Sequence, residues 1–236
     1  MPKQLDPADS RGIADHGWLY SRHTFSFADY HNPARMGFGK LRVINDDIVA
    51  PEAGFATHSH RNMEIISVPL SGGLRHQDSM GNVHVIRSGD VQIMSAGTGI
   101  SHSEYNASDK DPVNFLQIWI QPEQLDITPR YDQRTPDPRT RHNQFDYIIT
   151  PERDNAHSIW INQNAWVALA DFDEEFDDIF TPRMPGHGVY LFVISGRVIV
   201  AGEMLNDRDG LGVTATPTLG IRAISASRLL LLEVPM

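Results

Sequence analysis

His58 and His60 are separated by a single residue, and His102 and Glu104 repeat that spacing in the segment GTGISHSEYN. On a strand, alternate side chains share a face, so the members of each pair point the same way about 6.6 Å apart along the backbone. If the two strands are neighbours in one barrel, three imidazoles and a carboxylate converge. Donor-to-metal distances of about 2.0–2.2 Å are then within reach of all four side chains. The chain contains no cysteine, which excludes disulfides, iron–sulfur ligation and thiol catalysis and leaves nitrogen and oxygen as the only donors. Imidazoles plus one carboxylate suit first-row divalent metals without choosing among them. Four protein ligands leave one or two exchangeable positions on an octahedral ion, which permits chemistry as well as structural binding.

Such pairs need a β scaffold, and the rest of the sequence supplies one. Short β-rich runs occur at 41–49, 64–70, 83–87, 91–94, 113–121, 159–162, 166–170, 190–194, 197–201 and 229–234, with turn residues between them. Close spacing, abundant Gly and Pro and no long helical periodicity predict an all-β sandwich or barrel architecture with little helix. Gly97 and Gly99 mark a tight corner before His102, and DSMGN (78–82) reads as a hairpin end. The polar segment 121–143, with PDPR at 136–139, reads as a linker. THSHRNMEIISVPLSG (57–72) lies without gaps over TPRMPGHGVYLFVISG (181–196), and RSGDVQI (87–93) resembles DRDGLGV (207–213), so the chain reads as a duplicated barrel. In that alignment Pro182, Met184 and Gly188 replace His58, His60 and Glu64, and none can ligate a hard metal. The expected organisation is a metal-binding domain at 1–135 and a degenerate, metal-free one at 136–236.

The formal net charge is −10, with no basic run to offset it, which disfavours a nucleic-acid partner. MPKQLDPADS lacks the apolar core of a secretory signal, and no apolar stretch is long enough to span a bilayer as a helix, so a cytoplasmic protein without membrane attachment is expected. The other histidines (His16, His23, His31, His76, His84, His142, His157 and His187) read as ordinary surface or hydrogen-bonded residues. DFDEEFDDIF (171–180) lacks the ligand alternation of a calcium loop and reads as a solvated acidic loop. Phe25, Phe27, Phe55, Met63 and Met94 suit either a cavity beside the metal or ordinary core.

His58-x-His60-x3-Glu64 followed by Gly72, and Gly97-x-Gly99-x2-His102-x3-Asn106 with Gly89 upstream, resemble the two cupin motifs. Within cupins, THSHRNMEIISV, RHQDSMGNVHVIRSGDVQIMSAGTGISHSEYN and HGWLYSRHTFSFADYHNP are similar to the pirin family, particularly the bacterial quercetin 2,3-dioxygenases. The resemblance is specific over residues 10–135 and looser over 145–236. It implies a bicupin fold and one divalent metal per chain held by His58, His60, His102 and Glu104. That metal is iron by family habit, with Zn, Ni, Co, Mn or Cu as alternatives. Glu64 stands where many other cupins draw their carboxylate ligand. Its expected role is to accept a hydrogen bond from a ligating imidazole. The implied activity is cleavage of a flavonol such as quercetin by O₂ with release of carbon monoxide, Glu104 or Glu64 taking the substrate's hydroxyl proton. The same family implies an alternative, a redox-sensing or partner-binding regulatory module, and a cupin isomerase is a third reading. Substrate, native metal and oligomeric state stay open.

Overall fold

One strand at the centre of each half is buried on both faces. EIISVPLS (64–71) and HGVYLFVIS (187–195) are buried almost throughout, as strands must be when one face lines a barrel interior and the other meets a second sheet. The computed structural model describes residues 1–236, and apart from two short 3₁₀ turns its regular structure is strand. No helix is long and apolar enough to cross a membrane.

The first half contains β1 (Lys3–Asp6), β2 (Gly12–Asp15), β3 (Leu19–His23), β4 (Leu41–Val49), β5 (Gly54–His60) and β6 (Glu64–Ser71). It continues through β7 (Gly73–Asp78), β8 (Val83–Arg87), β9 (Val91–Ser95), β10 (Ile100–Asn106), β11 (Val113–Ile120) and β12 (Arg130–Arg134). The second half supplies β13 (Asp146–Thr150), β14 (Ile159–Trp160), β15 (Trp166–Phe172), β16 (Asp177–Phe180) and β17 (His187–Ser195). It ends with β18 (Val198–Val200), β19 (Glu203–Leu205), β20 (Gly210–Val213), β21 (Leu219–Ala223) and β22 (Ser227–Pro235).

These strands form two copies of one arrangement. A seven-stranded sheet ordered β12-β9-β6-β11-β4-β3-β2 faces a four-stranded sheet β5-β10-β7-β8, and the second half repeats this as β1-β20-β17-β22-β15-β13-β14 with β16-β21-β18-β19. The fold is a bicupin. The duplication seen in the sequence therefore holds for the central strands, while both edges of the large sheets differ: β2 pairs antiparallel with β3, whereas β14 pairs parallel with β13. The chain's N-terminal strand β1 closes the second barrel against β20, while β12 does the same for the first against β9. This differs from the expected organisation in two respects: residues 3–6 join the second barrel, and the linker 121–143 contains a paired strand. Arg130–Arg134 has no apolar run to announce it because that strand sits at a sheet edge and is only half-buried. The acidic segment 171–180 also contains strand, with Phe172 and Phe180 buried in the second barrel.

The largest core, 24 buried residues, lies between the two seven-stranded sheets, where Ile66, Val68 and Ile118 meet Tyr190, Phe192 and Leu230. The second barrel is filled by 16 buried apolar residues, among them Leu191, Val200, Ile221 and Leu231. The first barrel is filled differently. Small apolar clusters occupy its two ends, one around Leu74 and Phe115 and the other around Ile65 and Met94. The buried polar side chains Asp47, Ser67, His76, His102, Glu104 and Gln117 supply the remainder of its interior. Phe25, Phe55 and Met94 pack into these cores.

Candidate metal centre

Strand β5 runs antiparallel to β10 with His58 opposite His102 and His60 opposite Ile100, so the two short motifs meet. The three imidazole rings stand 4.5–4.9 Å apart between centroids, and their donor nitrogens all lie within 4.8 Å of one another. The local chemistry leaves a free lone pair on His58 and on His102. His58 Nδ1 lies 2.8 Å from the Ala56 carbonyl, which only accepts, so that nitrogen carries the proton and Nε2 is bare. His102 Nε2 is buried without any hydrogen-bond partner. Burial, reinforced by the neighbouring imidazoles, pushes His60 down to about 4 and His102 down to about 2. Both are therefore neutral at physiological pH, the form in which a metal takes them.

After His102 the pairing of β10 with β5 slips, so that Glu104 lies opposite Phe55, and two steps on β10 span three on β5. This bulge brings the backbones close, and a Cβ at Gly54 would collide with the Glu104 carbonyl oxygen, so only glycine fits. At the preceding corner Gly97 has φ +46 and a Cβ there would collide with the Ile127 carbonyl oxygen. Glu104 is buried, and its carboxylate accepts hydrogen bonds from Gln117 Nε2 at 2.9 Å and Ser67 Oγ at 3.2 Å. Burial nevertheless raises its pKa to about 7. Its oxygens cluster within 4.8 Å of donor atoms on His102 and His76, a group that does not include His58 or His60. His102 is thus common to two donor clusters.

Glu64 is not part of either. On β6 the odd-numbered Ile65 and Ser67 face the barrel interior, and Glu64 shares the opposite face with Ile66 and Val68. Its carboxylate accepts from Ser95 Oγ at 2.7 Å and from the Asn162 backbone N–H at 3.2 Å, the latter in the second half of the chain. The expected hydrogen bond from a ligating imidazole to Glu64 is not formed, because face alternation turns Glu64 away from the imidazoles. Burial raises its pKa from the usual 4.5 to about 7. An acid held protonated in the fold but ionised in the unfolded chain lowers stability as pH climbs from about 4.5 to 7, after which the deficit is constant. Glu64→Gln should therefore gain melting temperature relative to wild type across that window; an unchanged difference from pH 4.5 to 7 would count against a buried, protonated Glu64.

Of the histidines expected to be ordinary, His76 is hydrogen-bonded as anticipated but is wholly buried at the centre, with Nδ1 3.5 Å from His102 Nδ1. The signal was present, since His76 and Asp78 share the i, i+2 spacing of the other two pairs. His16, His23, His31, His84, His142, His157 and His187 join neither donor group. The outer side of His60 is walled by Trp119, whose ring is 5.0 Å away edge-on, and Phe27 stands 5.2 Å beyond Trp119.

Bare imidazole nitrogens, an orphaned buried Nε2 and a neighbouring carboxylate suit a first-row divalent ion. Fold and donor set together define a cupin whose first barrel carries the candidate metal donors. The chain belongs to the pirin family: the Pirin profile matches residues 6–120, and that of the quercetinase C-terminal cupin domain matches 147–234. It is 42% identical to a quercetin 2,3-dioxygenase of Escherichia coli strain K12 over 98% of both chains, and 37% identical to a pirin-like protein of Caulobacter vibrioides over 96% of this chain and 97% of that one. Among solved structures, YhhW from Escherichia coli superposes with a TM-score of 0.94 at 40% identity, covering 99% of this chain and 98% of that one. The bacterial pirin YhhW in complex with nickel(II) does so with a TM-score of 0.94 at 39% identity, covering 99% of each.

Proposed function

We infer that the protein is a metal-dependent dioxygenase that opens the ring of a flavonol such as quercetin, with His58, His60, His102 and Glu104 holding one divalent ion, Fe(II) by preference. The observation that carries this reading is the convergence of three imidazoles on one point, with His102 Nε2 buried and unpaired. The relatives named for quercetin cleavage and the nickel(II)-bound bacterial pirin support it. A bound ion supplies Lewis acidity and an electron path between the substrate and O₂.

The chain's own groups do the rest. Glu104, the carboxylate beside His102, is the group placed to remove the acidic hydroxyl proton of a flavonol. Gln117 and Ser67 hold its carboxylate in place through the hydrogen bonds they donate. Trp119 and Phe27 offer aromatic faces beside His60 against which a planar ring system can lie. The polar layer is confined to the first barrel's interior, so the reaction belongs to that barrel alone.

The test is anaerobic reconstitution with Fe(II) and with Ni(II), followed by oxygen uptake on a panel of flavonols. Oxygen consumption matched to flavonol loss is expected; fully metallated protein that is inert with every flavonol would sink the enzyme reading and favour a regulatory module. Glu104→Gln should lower turnover by on the order of 100-fold or more, because general base catalysis contributes about 10²–10⁴-fold. Glu64→Gln should leave turnover near wild type, and the reverse order of effects would move the base to Glu64.

A further inference from the structure

The hairpin formed by β7 and β8 places two polar residues beneath His102 that the proposed ligand set does not use. His76 and Asp78 are both buried, and in the antiparallel pairing with β10 His102 lies across from Asp78 and Glu104 across from His76. Asp78 Oδ2 is 3.3 Å from His76 Nε2, and His76 Nδ1 in turn faces His102 Nδ1 at 3.5 Å. The second barrel provides an internal comparison. Ser71-Gly72 precedes β7 as Ser195-Gly196 precedes β18, and Asn106 sits across from Leu74 as Ala223 does from Val198. Counting along these strands sets His102 and Glu104 against Leu219 and Ile221, and His76 and Asp78 against Val200 and Gly202. The hairpin forms without them in the second barrel, so His76 and Asp78 are absent there together with the candidate ligands and are not required by the β-turn itself.

The proton positions along this chain follow from the acceptors at its far end. Asp78 already receives the backbone N–H groups of Met80 and Asn82 at 2.9 and 3.1 Å and Asn82 Nδ2 at 2.8 Å, the partners of an ionised carboxylate. The nitrogen it meets on His76 must then be a donor, so Nε2 of His76 is protonated and its Nδ1 is an acceptor. His102 Nδ1 is left to donate, and its Nε2, the unpaired atom, is bare. Tyr131 packs over the His76 ring at 4.7 Å and holds it in place.

We propose that Asp78 and His76 are positioning residues, a carboxylate–imidazole–imidazole chain that fixes the tautomer and orientation of His102 so that its Nε2 lone pair points at the metal position. This rests on the reading of His102 as a ligand. A carboxylate or carbonyl behind a ligating imidazole is a common means of setting its tautomer, and its loss weakens metal binding about 10–100-fold; here a second imidazole is interposed.

The experiment combines nitrogen-15 long-range correlation spectra of the metal-free wild-type protein with Ni(II) affinities from chelator competition for wild type, His76→Leu, His76→Asn and Asp78→Asn. The expected spectrum has His102 protonated at Nδ1 and His76 at Nε2. His76→Leu and Asp78→Asn should lose about 10–100-fold in Ni(II) affinity with circular dichroism unchanged, and His76→Asn, whose Oδ1 can accept where Nδ1 did, should recover most of it. His102 protonated at Nε2 overturns the proposal without any variant. Wild-type Ni(II) affinity in folded His76→Leu overturns it while leaving the metal centre intact. If His76→Asn is as weak as His76→Leu, His76 is itself a ligand and the positioning role falls. Should wild-type protein fail to bind Ni(II) at all, the metal reading fails first and takes the proposal with it.

Discussion

Replacing His102 with alanine is expected to abolish metal binding, with affinity for Ni(II) or Co(II) falling by more than about 100-fold and metal content dropping from one ion per chain to near zero. No other candidate ligand stands where its loss removes so much. His102 is the residue shared by the His58–His60 cluster and the His76–Glu104 cluster, and its Nε2 is the unpaired buried atom. The effect should exceed that of His58→Ala, because His58 is partly exposed and its proton is placed by a local carbonyl that survives any change elsewhere. The deletion removes ring volume at a site bordered by Asp78, His76 and His58, so the variant should stay folded by circular dichroism while its thermal melt shifts modestly. Elemental analysis and chelator competition make the comparison. One ion retained in His102→Ala would remove His102 from the ligand set, and two tightly bound ions in wild type would contradict a single competent barrel.

The parts of this molecule that were legible in the sequence are those with a period. Strands 41–49 and 83–87 were readable to the residue because their apolar runs end at turn formers, and the strand carrying His58 and His60 was readable from the chemistry of the pair. β12 was not, because an edge strand half open to solvent carries the composition of a linker, RYDQR. Nor was the placement of β1, since KQLD carries no apolar pattern and its partner is more than 200 residues away. At the site, the i, i+2 rule brought the three imidazoles together, but it could not place the carboxylates. It says which residues share a face and not which face that is, and Glu64 falls on the inter-barrel side by a single step of alternation. Glu104 sits behind a bulge, where register arguments from spacing stop holding.

The pairing registers also show how differently the two barrel interiors are lined. Gln117 pairs with Ser67 across β11 and β6, and the corresponding pair in the second barrel is Leu231 with Leu191. Asn45 and Asp47 on β4 correspond in the same way to Ala168 and Ala170 on β15. With His102, Glu104 and His76 matched by Leu219, Ile221 and Val200, each of these polar positions inside the first barrel is apolar in the second. A barrel interior that holds a carboxylate and several imidazoles gives up hydrophobic burial, and the first barrel has only small clusters at its ends to offset this. The 16-residue core of the second barrel and the 24-residue core between the sheets supply the packing that the first lacks.

The second barrel should accordingly be indispensable to the fold and irrelevant to metal content. Ending the chain after Arg139 strips the cover from Ile44, Ile66, Val68, Leu116, Ile118 and Ile120, all buried in the inter-sheet core, and leaves β1 without β20 to pair with. An apolar face of that extent on a free sheet is an aggregation site, so the truncated chain is expected to be insoluble or to lose its cooperative melt. Within the full-length chain, Phe192→Ala empties part of the same core and should cost about 3–5 kcal/mol, read as a lower denaturant midpoint, with one metal ion still bound per chain at temperatures where the protein is folded. His187→Ala serves as the matched control inside the second barrel. His187 faces Glu233 at 3.6 Å and lies among residues that present no second donor cluster, so metal content and any oxygen uptake should stay at the wild-type level. A soluble, monomeric 1–139 chain with an unchanged melt would show that the first barrel stands alone, and loss of a metal ion or of turnover in folded His187→Ala would show that the second barrel takes part in the chemistry.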